Sequence, residues 1–194
     1  DEVSLPRLYM AFRSPVFGSD GYYTASVTGA ILGMRRGSRL YRSLVRERQV
    51  AADASAFTFD LAKGTDLLIV DVTAHPGVSA DRLEQEVERE IDLLVLEGVT
   101  KAEVTRAVAL IQTDMITALQ SASDRADKLS MFATLLGDPA LVNEQAAKYD
   151  AVTAEDVTAF ARARLGKDNR AKLLYVPRSQ DAEVGEMSAQ AAAS

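Results

Sequence analysis

Few side chains in this sequence could do chemistry. His75 is the one imidazole and there is no cysteine among 194 residues. No thiolate metal site can form, and any Cys/His or Ser/His/Asp nucleophile arrangement would depend on this single base. A zinc site on histidines needs at least two imidazoles, usually with a third ligand and a partner behind it. His75 stands beside Pro76 at the end of a strand-like run and reads as a loop residue, exposed or bonded locally. Asp81, Glu84, Glu88 and Asp92 recur at helical spacing with Arg82 and Arg89 among them, the pattern of an amphipathic helix's polar face rather than an acid/base pair or cation site. Asp53, Asp60, Asp66 and Asp71 lie on or beside two strand-like runs, where an outward-facing hairpin surface accounts for them. Gly29, Gly33 and Gly37 are four apart and lack the strand–loop–helix order of a phosphate cradle. Close helix packing and a helix C-cap explain them better. By itself the chain has no set of groups that would run a hydrolysis.

The composition sets the frame for these residues. A 47% apolar and 26% charged chain with formal charge −6 suits one soluble domain with a real core. It does not suit a nucleic-acid binder, which needs clustered basic surface. Arg35, Arg36, Arg39, Arg42, Arg46 and Arg48 form the only basic cluster and read mostly as a solvated helix face. No run approaches the roughly 18 apolar residues of a membrane span. The chain begins without Met and ends in "SAQAAAS", so it reads as an excised piece. Residues 1–178 are expected to form one domain and 179–194 a disordered tail.

The elements that must position these groups follow from periodicity. Between Pro6 and Pro15, Leu8, Met10 and Phe12 alternate with Arg7, Tyr9 and Arg13, which predicts a strand. Val27, Ile31 and Met34 mark a buried helix from about Tyr22 to Gly37, and Ser38 is placed to cap a second helix carrying Leu40, Leu44 and Val45. "ADASAFTFDL" and "TDLLIVDVTA" predict a hairpin turning at Gly64, with Phe57 and Phe59 sharing one face. Ser79 caps a helix carrying Leu83, Val87, Ile91 and Leu94 that ends at Gly98. Thr100 and Glu103 form a capping box for a long helix that runs on, or breaks and restarts, toward Asp138-Pro139. A short helix over 143–149, a helix capped by Thr153 and a last strand "AKLLYV" complete the chain. Four strands with helices on one side predict an α+β two-layer sandwich with a mainly antiparallel sheet.

Five segments, in register and in order, carry a resemblance. They are "PRLYMAFRSP", "YYTASVTGAILG", "GSRLYRSLVRERQVA", "DVTAHPGVSADRLEQEVEREI" and "YDAVTAEDVTAFARARLG", spanning about Pro6 to Pro177. Together the chain resembles the non-zinc half of insulinase/pitrilysin-type zinc metallopeptidases, and "SRLYRSLVRERQVA" is the most specific piece. The resemblance implies two homologous halves closing around an unfolded peptide, with an inverted His-x-x-Glu-His motif and its zinc on the other half. No catalytic residue, metal ligand or cofactor is then expected in this chain, and zinc is expected on a separate upstream domain.

The resemblance also implies a finer test. Assisting non-zinc halves bring an Arg and, seven residues later, a Tyr that steady the oxyanion. Val45 and Ala52 stand at those positions, and neither can donate a hydrogen bond. Arg46 and Arg48 point elsewhere if the register holds, and a one-residue shift would bring Arg46 in but put Asp53 at the Tyr position. The expected partners are therefore a zinc-bearing homologous domain, of the same or another chain, and a peptide substrate. The expected role is completing a chamber wall, and bacterial members of the family are commonly exported. Two other readings stand beside it: a scaffold subunit of the same fold in a large assembly, and a free-standing α+β binding module. A His-x-x-Glu-His helix roughly 150 residues upstream would decide for the peptidase.

Overall fold

A computed structural model of the chain describes residues 3–61 and 63–177. In chain order it comprises β1 (Arg7–Ser14), α1 (Asp20–Gly33), a π-helical turn (Tyr41–Glu47), β2 (Ala51–Thr58) and β3 (Asp66–Ala74). Then follow α2 (Ala80–Glu97), α3 (Lys101–Gln120), α4 (Ala122–Met131), α5 (Gln145–Asp150), α6 (Ala154–Arg164) and β4 (Arg170–Tyr175). The strands make one antiparallel sheet in the order β2-β3-β1-β4. All helices pack on one of its faces, giving the α+β two-layer sandwich that the periodicity predicts.

Strand alternation decides which face is covered. Leu8, Met10 and Phe12 of β1, Leu68, Val70 and Val72 of β3, and Ala54 and Ala56 of β2 are buried beneath the helices. α1 is apolar around most of its circumference because it lies between the sheet and other helices, touching β2, α3 and α6. Its buried side chains include Tyr22, Val27, Ile31 and Leu32. α2 covers the other half of the sheet through Leu83, Val87, Ile91 and Leu94.

The predicted stops and starts are largely present. Ser79 Oγ accepts the Arg82 amide at 3.3 Å, Gly98 ends α2 at φ 75°, and Gly64 turns the hairpin at φ 82°. The Thr100/Glu103 capping box is complete, and Thr153 forms another with Asp156. The long helix breaks at Ser121, whose hydroxyl caps α4.

Several details differ. α1 ends at Gly33 rather than near Gly37, because Arg35 takes a left-handed conformation (φ 61°) that no helix continues through. Ser38 does not cap; its hydroxyl donates to the Arg35 carbonyl at 2.8 Å and closes that turn instead. The second helix finishes as a π turn, with the Arg48 amide reaching back five residues to the Ser43 carbonyl at 2.9 Å. Pro139–Glu144 is a 3₁₀ turn, so the short helix starts at Gln145 rather than Asn143. The expected tail, 179–194, lies outside the described residues.

Candidate functional site

Most of the basic cluster is a solvated face, as expected, but two members, Arg39 and Arg48, are drawn into the fold. Arg39 forks onto Glu103 at 2.7 and 3.0 Å and reaches the Gly98 carbonyl at 2.8 Å. Burial would push the Glu103 carboxyl up, but the Arg39 guanidinium and the Thr100 amide outweigh it and hold the group at about 2. Arg48 bridges Glu86 at 2.5 Å and Glu90 at 2.9 Å, and Glu90 also accepts the Ser43 hydroxyl at 2.8 Å. Arg35 pairs with Asp114. Arg35, despite that pair, and Arg36, Arg42 and Arg46 remain exposed.

The acidic face of α2 is also largely engaged. Glu84 pairs with Lys172, and Glu88 with Arg170 at 2.5 Å and Lys167 at 3.4 Å, so two of the four predicted carboxylates tie α2 to β4 and the turn before it. For Glu88, desolvation raises the pKa but Arg170 and Lys167 pull it below the usual carboxylate range. Asp81 and Asp92 stay in solvent. Glu86 and Glu90, which the sequence reading did not single out, hold Arg48. Their signal was present as two further acidic positions on the same helix facing the only nearby basic segment.

The hairpin aspartates separate into different environments. Asp53 is exposed, and Asp71 meets Arg7 in a fork of 2.9 and 2.6 Å. Asp60 accepts the Tyr22 hydroxyl. Asp66 contradicts the outward-facing expectation: it is fully buried, with Oδ1 accepting the Leu67 amide at 2.7 Å. Burial pushes its pKa up, while backbone amides including those of Leu67 and Leu61 pull against the shift.

His75 is exposed, with Nδ1 3.3 Å from the Pro76 carbonyl oxygen. Among the described residues no three His, Cys, Asp or Glu side chains gather as a metal-ligand set, and with one imidazole and no thiol the donor set does not fit zinc. Val45 sits half-buried in the π turn, packed against the core, and Ala52 is exposed at a β-bulge between Ala51 and Asp53. Arg46 extends into solvent beside Val45, and Arg48 is committed to α2. Gly33 shows the close packing inferred for it, lying against Ala56 of β2.

The surface these elements leave open is the second face of the sheet. Three cross-strand rows run over it: Asp53–Thr73–Arg7–Tyr175, Ser55–Asp71–Tyr9–Leu173 and Phe57–Ile69–Ala11–Ala171. Phe57 is 43% exposed, Phe59 53% and Leu173 53%. The Phe57 and Phe59 rings meet edge to face with centroids 5.6 Å apart, and Tyr9 meets Tyr175 at 6.0 Å. The Arg7 guanidinium lies 5.0 Å from the Tyr9 ring centre and is kept firmly protonated by its bond to Asp71. Phe57 and Phe59 do share a face, as expected, but it is the uncovered one. This face offers apolar and aromatic contact around one ion pair, edged by Asp53, Ser55 and Thr73.

The profile of the peptidase M16 inactive domain matches residues 1–111, more than half the sequence. The chain belongs to this family. Comparison with curated proteins gives no significant match. Among solved structures, the chain is similar to the inactive peptidase domain of a Bordetella parapertussis protein (22% identity, TM-score 0.80, covering 93% of this chain and 98% of that one). It is also similar to a protease from Helicobacter pylori (19% identity, TM-score 0.81, 91% of this chain and 42% of that one). A chain of complex III from Candida albicans shares the fold as well (18% identity, TM-score 0.75, 90% and 43%). The M16 inactive domain thus spans less than half the length of the Helicobacter protease and almost the full length of the Bordetella domain. Among the described residues no helix is long and apolar enough to cross a membrane.

Proposed function

We propose that this M16 inactive domain is the non-catalytic part of a zinc metalloendopeptidase acting on unfolded peptides, and that it forms a chamber wall opposite or beside the zinc-bearing domain. The observation that carries this reading is the one-sided sheet. Its helices cover one face only, and the other face exposes Phe57, Phe59, Leu173 and Tyr175. An apolar surface of that kind marks an interaction site on a soluble domain, and extended peptide has the shape to lie along it. Family membership supplies the setting, and the relatives described as proteases support it. Val45 and Ala52 occupy the positions of the Arg/Tyr pair in this reading, so oxyanion donors would come from another domain.

The test is to purify the domain together with a zinc-bearing M16 domain, of the same chain or of a partner, and follow cleavage of an unfolded fluorogenic peptide. Phe57→Asp and Leu173→Asp are expected to raise KM or abolish cleavage while leaving this domain's melting temperature unchanged. Equal cleavage by the zinc-bearing domain alone would overturn the wall role. The similarity to a complex III chain favours one second reading, a scaffold subunit without proteolysis. Its signature would be stable assembly with a homologous domain and no turnover of any peptide.

A further inference from the structure

The helical layer holds a cleft that the wall role leaves unused. It opens between α1, α3, α4 and the end of β2 as two adjoining cavities of about 100 and 360 Å³. The inner cavity is walled by Phe17, Met115, Leu119 and Phe132. It has room for roughly three waters at ~30 Å³ each, which suits an aliphatic side chain better than a ring. The outer one is of the size that takes a small ligand. Tyr22, Asp60, Lys128 and Tyr149 line both.

The cleft contains two opposite charges that are not paired. Asp60 is held in a left-handed backbone conformation (φ 59°), and it takes the Tyr22 and Thr58 hydroxyls on the same oxygen, Oδ1. Among the described residues Oδ2 has no side-chain partner. Lys128 forms no ion pair among them either. Asp114 also lines the outer cavity, but Arg35 neutralises it. Tyr22 and Tyr149 are buried, and burial raises both hydroxyls' pKa values, so they stay neutral at the floor of the cleft. A fatty carboxylate would use Lys128 and leave Asp60 opposed to it; a cationic amphiphile would do the reverse. A zwitterion with an apolar body satisfies both charges.

We propose that this cleft binds short apolar peptides by their two free termini, with the α-ammonium on Asp60 Oδ2, the α-carboxylate on Lys128 and an aliphatic side chain in the inner cavity. The site lies in the helical layer and meets the open sheet face only at Phe57, at the rim of the outer cavity, and its occupancy does not depend on the chamber role.

The probe is the dipeptide Leu-Leu, titrated into the chain and followed by intrinsic tyrosine fluorescence; with six tyrosines and no tryptophan, Tyr22 and Tyr149 at the floor contribute directly to the signal. Saturable binding is expected. N-acetylation or C-amidation of the peptide should each weaken it about tenfold, the worth of one charge-assisted contact. Asp60→Asn should erase the penalty for acetylation and keep that for amidation, and Lys128→Gln should do the opposite. Failure to saturate, equal binding of the doubly capped peptide, or an unchanged pattern in the Lys128→Gln variant would overturn the proposal. Among the described residues Lys128 makes no polar side-chain contact, so that variant keeps the test decisive even if Asp60→Asn loosens Tyr22. Equal cleavage by the zinc-bearing domain alone, with intact Leu-Leu binding here, would count against the wall role alone.

Discussion

Gly33 of α1 and Ala56 of β2 touch backbone to backbone: a Cβ on Gly33 would fall 1.9 Å from the Ala56 amide nitrogen and 2.3 Å from the Ser55 carbonyl carbon. One turn earlier, a Cβ on Gly29 would sit 3.5 Å from the Phe57 Cα, an ordinary contact. The helix therefore crosses the strand at one glycine and merely passes near it at the other. Gly33→Ala must push α1 off the sheet and is expected to cost about 3 kcal/mol. Gly29→Ala should be neutral or stabilising by up to about 1 kcal/mol, because alanine is the better helix residue. Urea midpoints measured at unchanged m-value separate the two; equal destabilisation by both would refute the close crossing.

Arg48 carries a structural load that its neighbour Arg46 does not. Removing Arg48 leaves Glu90, with its side chain 9% exposed, charged and held only by Ser43. Arg48→Ala is expected to cost about 3 kcal/mol, mostly the penalty of the stranded carboxylate. Arg46→Ala, on an exposed side chain, should stay within about 0.5 kcal/mol. Replacing Arg48 and Glu90 together by Met and Leu should recover most of the loss. Thermal melts of the four proteins check it, and a double variant as weak as Arg48→Ala would contradict the account.

These two cases show how far the sequence could be read. The order of elements, the caps at Ser79, Thr100 and Thr153, and the alternation that buries Leu8, Met10 and Phe12 are local properties, so short stretches specified them. The partners of Arg39, Arg48, Glu84 and Glu88 lie 38 to 88 residues away along the chain. A charge at helical spacing looks the same whether it faces water or another helix, so the solvated-face reading of both clusters was only partly right. Asp66 failed for a different reason: it shares a face of β3 with Leu68, Val70 and Val72, so alternation already pointed it to the covered side, and its polar side chain alone suggested water. The cleft was invisible because Asp60 and Lys128 belong to elements brought together only by tertiary packing.

Glu103 should make the domain sensitive to acid. Its folded value, about 2 against an ordinary 4.5, is depressed, so its contribution is complete above about pH 4.5 and is lost as pH falls toward 2. The shift corresponds to about 3 kcal/mol at neutral pH, on a side chain only 16% exposed. Glu103→Gln is expected to remove most of that at pH 7, and to match the parent protein near pH 2. Denaturation free energies measured across that range test it. A constant difference at all pH values would show that the loss is packing rather than charge.

Asp66 should show the opposite sign. Its carboxyl is buried, and among the described residues neither its Oδ2 nor the buried hydroxyl of its cross-strand neighbour Ser14 has a hydrogen-bond partner. Because burial raises the folded pKa above the ordinary 3.8, the favourable contribution is present below that pH and is lost as pH rises through the folded value. At neutral pH, well above the ordinary value, burying this carboxyl costs stability relative to the unfolded chain. Asp66→Asn keeps an acceptor for the Leu67 amide and adds donors that could meet Ser14, so it should stabilise the domain at pH 7 by about 1 kcal/mol. The gain should shrink to nothing as pH falls below 3.8, where the acid is neutral in both folded and unfolded chains. A variant that is less stable than the parent at pH 7 would mean that the ionised carboxylate is needed to hold the hairpin loop, and the burial argument for this residue would fail.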